Sequence, residues 1–99
     1  MKTIIEQLNK TFENRIRLGI MSILMVNERI DFNNIKETLQ VTDGNLASHV
    51  AALEKADYIK VFKEFVGKKP STSYAATKTG KKAFHEHLNA LEKLIKQGK

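Results

Sequence analysis

The chain has 99 residues, 41% of them hydrophobic and 28% charged, with one proline and no cysteine. That length fits a single domain over residues 1–99, and the composition excludes a disordered chain, a disulfide framework and a thiolate metal site. The whole net charge of +6 lies in one quarter of the chain. From Lys60 to Lys82 seven lysines face one acid, Glu64, while the rest balances at ten basic against ten acidic residues. Such a concentration reads as a surface built to meet a polyanion.

Taken in chain order, Ile4, Ile5, Leu8 and Phe12 mark the apolar face of a first helix. No secretory leader is expected from Met1-Lys2-Thr3-Ile4-Ile5, since Glu6, Asn9 and Lys10 interrupt the apolar run. The segment Ile16 to Val26 is apolar on nearly every side and predicts a buried central helix. Its longest uncharged run, Leu18 to Asn27, is half of what a membrane span needs. A protein of the cytoplasm with no membrane partner is therefore expected. Gly19 within that helix marks a place where another element crosses closely.

After a short edge segment, Asp31 caps a third helix with Phe32, Ile35 and Leu39 on one face. Only Gln40 and Val41 separate it from the next start signal, so the two helices must cross steeply. Thr42 is the N-cap of a fourth helix over Asp43 to Ala56, with Val41 and Leu46 as a hydrophobic staple. Leu46, Val50 and Leu53 point inward at helical spacing, leaving Asn45, Ser48, His49 and Ala52 outward. Asp57, tolerated in left-handed geometry, ends it. From about 59 to 76 the period becomes that of a β-hairpin, with Gly67-Lys68-Lys69-Pro70 as a lysine-rich tip. Phe62 and Phe65 fall on opposite strand faces, so one of them can be exposed. A last helix, about 78–97, opens near Thr77 or Thr79, carries Phe84, Leu88, Leu91 and Ile95, and ends at Gly98.

This order, with three stretches in particular, resembles the small winged helix-turn-helix regulators of the MarR and ArsR type. Arg15-Ile-Arg-Leu-Gly-Ile-Met-Ser-Ile-Leu24 is similar to their first core helix, Val41 through Ile59 to their recognition helix, and Tyr74-Ala-Ala-Thr-Lys-Thr-Gly80 to their junction between wing and last helix. The resemblance implies a mainly α fold with a β-hairpin wing and a three-helix core, flanked by N- and C-terminal dimerisation helices. It also implies that the fourth helix enters the major groove of double-stranded DNA while the wing follows the phosphates. Carried onto this chain, the DNA-facing positions are Thr42, Gly44, Asn45, Ser48, His49 and Ala52, with Lys63, Lys68, Lys69 and Lys78 on the backbone. Ser48 stands where many relatives have arginine, which shifts electrostatic work to the lysines.

Two features point the same way without the family. Gly44, second in its helix, lets exposed amides approach a phosphate closely. Lys78, Lys81 and Lys82 crowd the positive end of a helix dipole, where stability alone would place acids. The first and last helices carry more apolar surface than one small core needs. A homodimer pairing Ile4, Ile5, Leu8, Phe12, Phe84, Leu88, Leu91 and Ile95 is therefore expected. His85 and His87 diverge too far on a helix to share a metal, and Ser48, His49 and Asp43 diverge too far to form a catalytic triad. The expectation is a sequence-specific transcriptional regulator that is not an enzyme and uses no metal or cofactor; no effector is legible. The competing reading is a winged-helix module that binds protein, which an exposed apolar patch would betray.

Overall fold

The local cap chemistry is realised at nearly every helix start in the structure, a computed structural model that describes residues 3–97. Helix α2 (Arg15–Val26) begins where Asn14 Oδ1 accepts the N–H groups of Ile16 and Arg17 at 2.9 and 3.1 Å. It buries Ile20, Met21 and Leu24 completely and forms the centre of the core. A methyl group added at Gly19 would lie 2.8 Å from Leu39 Cδ2, so the close crossing is that of helix α3 (Phe32–Leu39).

Asp31 caps α3 through a 3.1 Å bond from the Asn34 N–H. The helix stops because Gln40 turns left-handed, with φ 56°. Thr42 Oγ1 then accepts the Asn45 N–H at 3.2 Å and opens helix α4 (Asp43–Lys55). An ion pair of 2.8 Å between Lys36 and Asp43 ties α3 to the first turn of α4 and raises the Lys36 pKa by hydrogen bond and charge. Leu46, Val50 and Leu53 bury the inner face of α4. Asp57 follows with φ 65°, the left-handed exit expected of it.

Strands β2 (Ile59–Val66) and β3 (Lys69–Ala76) form the hairpin around Gly67, whose φ of 67° suits a residue without Cβ. The edge segment is strand β1 (Ile30–Asp31), which pairs Ile30 with Tyr74 and Asp31 with Ser73, giving an antiparallel sheet in the order β1-β3-β2. Helix α5 (Lys78–Gln97) follows β3 and is about 30 Å long. Its start is fixed by Thr77, whose hydroxyl accepts the Gly80 N–H at 2.9 Å and donates to the Asp57 carbonyl at 2.6 Å. The end expected at Gly98 lies outside the described residues. Gly80 rests directly on the chain at Tyr58: a Cβ there would sit 2.0 Å from the Tyr58 carbonyl oxygen. Among the described residues no helix is long and apolar enough to cross a membrane.

The N-terminal segment departs from the single amphipathic helix that Ile4, Ile5, Leu8 and Phe12 suggest. Helix α1 covers only Ile4–Gln7, and a 3-10 turn covers Lys10–Phe12. Asn9 makes the break: its backbone N–H donates to His87 Nδ1 and its side-chain amide to the Tyr58 hydroxyl, both at 2.9 Å. The break swings Phe12 inward, where it stacks on Tyr58 at 5.2 Å and meets Phe84 edge-on at 5.1 Å. Phe12 and Phe84 are 2% and 3% exposed, so both belong to the protomer's own core and not to a dimer face. The sequence spacing is compatible with either destination; only the distant partners of Asn9 decide it.

Candidate nucleic-acid interface

Because α4 buries one stripe, its opposite side is presented outward. Thr42, Gly44, Asn45 and Ser48 are exposed, and Ala52 is half-buried. Ala47 and Ala51 share the exposed side and leave it shallow, so a neighbouring surface can approach the helix backbone. Nothing lies within 4 Å of a Cβ added at Gly44, so that glycine is not required by packing. Asn45 and Thr42 line an open groove with Gln40 and Arg15, which brings an exposed arginine from the start of α2 beside the N-terminus of α4. Sequence spacing does not place Arg15 at this helix, because only the crossing of α2 with the helix-turn-helix brings it there. The arginine-rich opening of α2, Arg15-Ile-Arg17, was the available signal.

His49 differs from its neighbours. It is half-buried, and its Nδ1 accepts a 2.9 Å bond from Arg17 Nη1, since a guanidinium has donors only. Desolvation, and then the Arg17 charge, lowers its pKa below the ordinary histidine value. His49 thus reaches back toward α2 with one nitrogen instead of extending freely like Asn45 and Ser48.

The wing projects Lys63, Lys68 and Lys69 into solvent, and Lys78, Lys81 and Lys82 are exposed at the start of α5. Its one acid is neutralised: Glu64 pairs with Arg29. The same guanidinium lies 4.1 Å over the Phe62 ring, and its Nε donates to Ser73 Oγ at 2.7 Å. Arg29, unforeseen in the sequence, therefore braces both wing strands and leaves the lysines unopposed. Phe62 is the sheltered aromatic, under Arg29 and with Lys60 Nζ at 5.3 Å from its centroid. Phe65 is the exposed one at 76%, because its strand has by then run past the core.

Of the positions expected to pair two copies, Ile5, Leu88 and Ile95 are exposed at 71%, 41% and 73%, while Ile4, Leu8 and Leu91 are half-buried. Helix α1 lies along α5, where Lys93 Nζ donates to Gln7 Oε1 at 3.3 Å. His87, 3% exposed, faces inward to Asn9, and burial lowers its pKa although Glu13 partly opposes the shift. Among the described residues no group of three or more His, Cys, Asp or Glu is disposed to hold a metal ion.

A helix-turn-helix whose second helix is open along one side, followed by a cationic hairpin, defines a winged-helix module of the kind that binds DNA. Residues 16–95 match the family described as winged helix DNA-binding domain, and the chain belongs to that family. It is similar over 95% of its length to a transcriptional regulator homologue from Pyrococcus horikoshii OT3, with 30% identity, a TM-score of 0.84 and 91% of that chain covered. An uncharacterized protein of Methanocaldococcus jannaschii is 31% identical over 87 residues, which are 88% of this chain and 95% of that one. A regulator of the MarR family from Porphyromonas gingivalis W83 shares the fold at 20% identity and a TM-score of 0.67, over 90% of this chain and 82% of its own. The protein is thus a small winged-helix DNA-binding regulator, and a regulator of this kind is not an enzyme.

Proposed function

We propose that the chain acts in the cytoplasm as a homodimeric, sequence-specific transcriptional regulator. In this reading α4 supplies base contacts through Asn45, Ser48 and His49, with Thr42, Gly44 and Ala52 against the adjoining backbone. Lys63, Lys68, Lys69 and Lys78 neutralise phosphates. The observation that carries the reading is the unopposed charge of the wing's lysines: the only acid among them is bound to Arg29, so the hairpin offers undiluted positive charge beside an open helix. Asparagine can bond bidentately to adenine, and serine can bond to several bases.

Dimerisation rests on the apolar stripe of α5, Leu88, Leu91 and Ile95, joined by Ile4, Ile5 and Leu8. One winged helix reads one half-site, and a two-fold pairing of these helices would present two. Sedimentation of the wild type and Leu91→Asp, with and without duplexes selected from a random pool, tests both parts. A dimer that selects a two-fold sequence, reduced by Leu91→Asp to a weakly binding monomer, is expected. A monomeric wild type at micromolar concentration contradicts the dimer, and failure to enrich any sequence contradicts the specificity.

A protein-binding module is the second reading, and Phe65 and Val66 favour it, being 76% and 68% exposed at the wing tip. Salt separates the two, since affinity for DNA falls steeply with ionic strength and apolar docking does not.

A further inference from the structure

Four hydrogen bonds run without interruption from α5 to α4. The Asn9 N–H donates to His87 Nδ1 at 2.9 Å, and the Thr11 N–H donates to Asn9 Oδ1 at 3.0 Å. Arg17 Nε then donates to the Thr11 carbonyl at 2.6 Å, and Arg17 Nη1 donates to His49 Nδ1 at 2.9 Å. Arg17 is therefore gripped on one edge by the N-terminal segment, and its other edge holds the ring of a residue on the outer half of α4.

We propose that Arg17 is a positioning residue that fixes His49 as a neutral ring with its proton on Nε2, a donor for the acceptor atoms on the major-groove edge of a base pair. The inference rests on the DNA-reading role of α4 given above and adds the chemistry of one position. An unrestrained neutral imidazole can offer a donor or an acceptor at its free nitrogen, and a charged one can offer a second donor to phosphate. Arg17 removes these options. Its guanidinium cannot accept, so Nδ1 must stay unprotonated while the bond exists, and the proton resides on Nε2. A second proton on Nδ1 would point at a permanent cation. Burial lowers the ring's pKa most, and the Arg17 charge works in the same direction. The acceptors an Nε2–H can meet in the major groove are N7 of either purine, O6 of guanine and O4 of thymine. Lysine in place of Arg17 could not hold Thr11 and His49 together, because that needs two donors in a fixed fork.

The test has one arm without DNA and one with it. Long-range proton–nitrogen correlation of the histidine rings in the free protein should show His49 with a bare Nδ1 and a protonated Nε2. In Arg17→Met the ring should titrate at higher pH and lose that fixed pattern. The second arm uses a duplex selected from random sequence by the wild type. Arg17→Met should weaken binding to it by about tenfold, the scale of one hydrogen bond, while leaving unselected DNA almost unchanged. In a His49→Ala background the same change should cost less than about twofold, because coupled residues are not additive. His49→Gln, which keeps an NH₂ donor near Nε2, should bind the selected duplex better than His49→Asn. Should Arg17→Met fail to fold, the wild-type correlations and the Gln and Asn pair decide alone. A protonated Nδ1, equal losses on selected and unselected DNA, additive losses, or His49→Asn equal to His49→Gln would each overturn the inference while the DNA-reading function stands. A pool that yields no preferred sequence overturns both.

Discussion

Glycine to alanine in a helix ordinarily gains up to about 1 kcal/mol, so propensity alone would have Gly44→Ala and Gly80→Ala both stabilise this protein. The structure separates them. At Gly44 an added Cβ meets nothing within 4 Å, and the gain should be realised in part, about 0.5 to 1 kcal/mol. At Gly80 the same methyl would lie 2.0 Å from the Tyr58 carbonyl oxygen and 2.8 Å from the Tyr58 Cα and carbonyl carbon. A carbon against a carbonyl oxygen needs about 3.3 Å, so the start of α5 must retreat by more than about 1 Å. Retreat sacrifices the 3.0 Å bond from the Thr77 N–H to the Tyr58 carbonyl and the 2.6 Å bond from Thr77 Oγ1 to the Asp57 carbonyl. Overpacking of about 1 to 3 kcal/mol plus two hydrogen bonds of about 1 kcal/mol each, less the helix gain, leaves a net loss of about 3 kcal/mol. In thermal unfolding that is a fall of about 12 to 24 °C, against a rise of a few degrees for Gly44→Ala. Gly19→Ala, whose nearest neighbour is the movable end of Leu39, should fall between them. A Gly80→Ala protein as stable as wild type would refute the docking of α5 on Tyr58. A Gly44→Ala protein less stable than wild type would refute the open N-terminus of α4.

Acidification should destabilise the fold through His49 and His87. Both have pKa values lowered in the folded state, chiefly by burial, so their neutral contribution is complete above the ordinary value of about 6.5 and declines as pH falls below it and the unfolded chain takes up protons first. Urea unfolding between pH 8 and 5 should show this decline, and His87→Gln, which keeps an acceptor for the Asn9 N–H but cannot titrate, should flatten it; an unchanged slope contradicts the assignment. Asn45→Ala or Ser48→Ala should cost about 1 to 3 kcal/mol on the selected duplex with little effect on unselected DNA or on the salt slope. Equal losses on both DNAs would move these residues from base contact to backbone contact.

What could be read from sequence was local. Asp31, Thr42 and Asp57 act on backbone groups within four residues, and each does in the structure what its side chain and position imply. The hairpin, its turn at Gly67 and the close crossing at Gly19 were legible for the same reason. Features that depend on distant partners were not. Asn9 ends a helix because His87 and Tyr58, 78 and 49 positions away, take its donors, and Phe12 changes sides as a consequence. Arg17 reaches across 32 positions to His49, and Arg29 reaches across 44 to Ser73. Apolar spacing shows that a residue prefers to leave water. It does not say whether its own core or a second copy receives it.

The central claim is that the lysine wing lies on a phosphate backbone, and the salt dependence of DNA binding tests it most directly. For Lys68→Ala together with Lys69→Ala, the account predicts weaker binding to selected and unselected duplexes alike, and a plot of log affinity against log salt flatter by about 0.9 for each phosphate that the variant no longer neutralises. A double variant with the wild-type slope would contradict the account, because positive charge that releases no counterions is not on DNA.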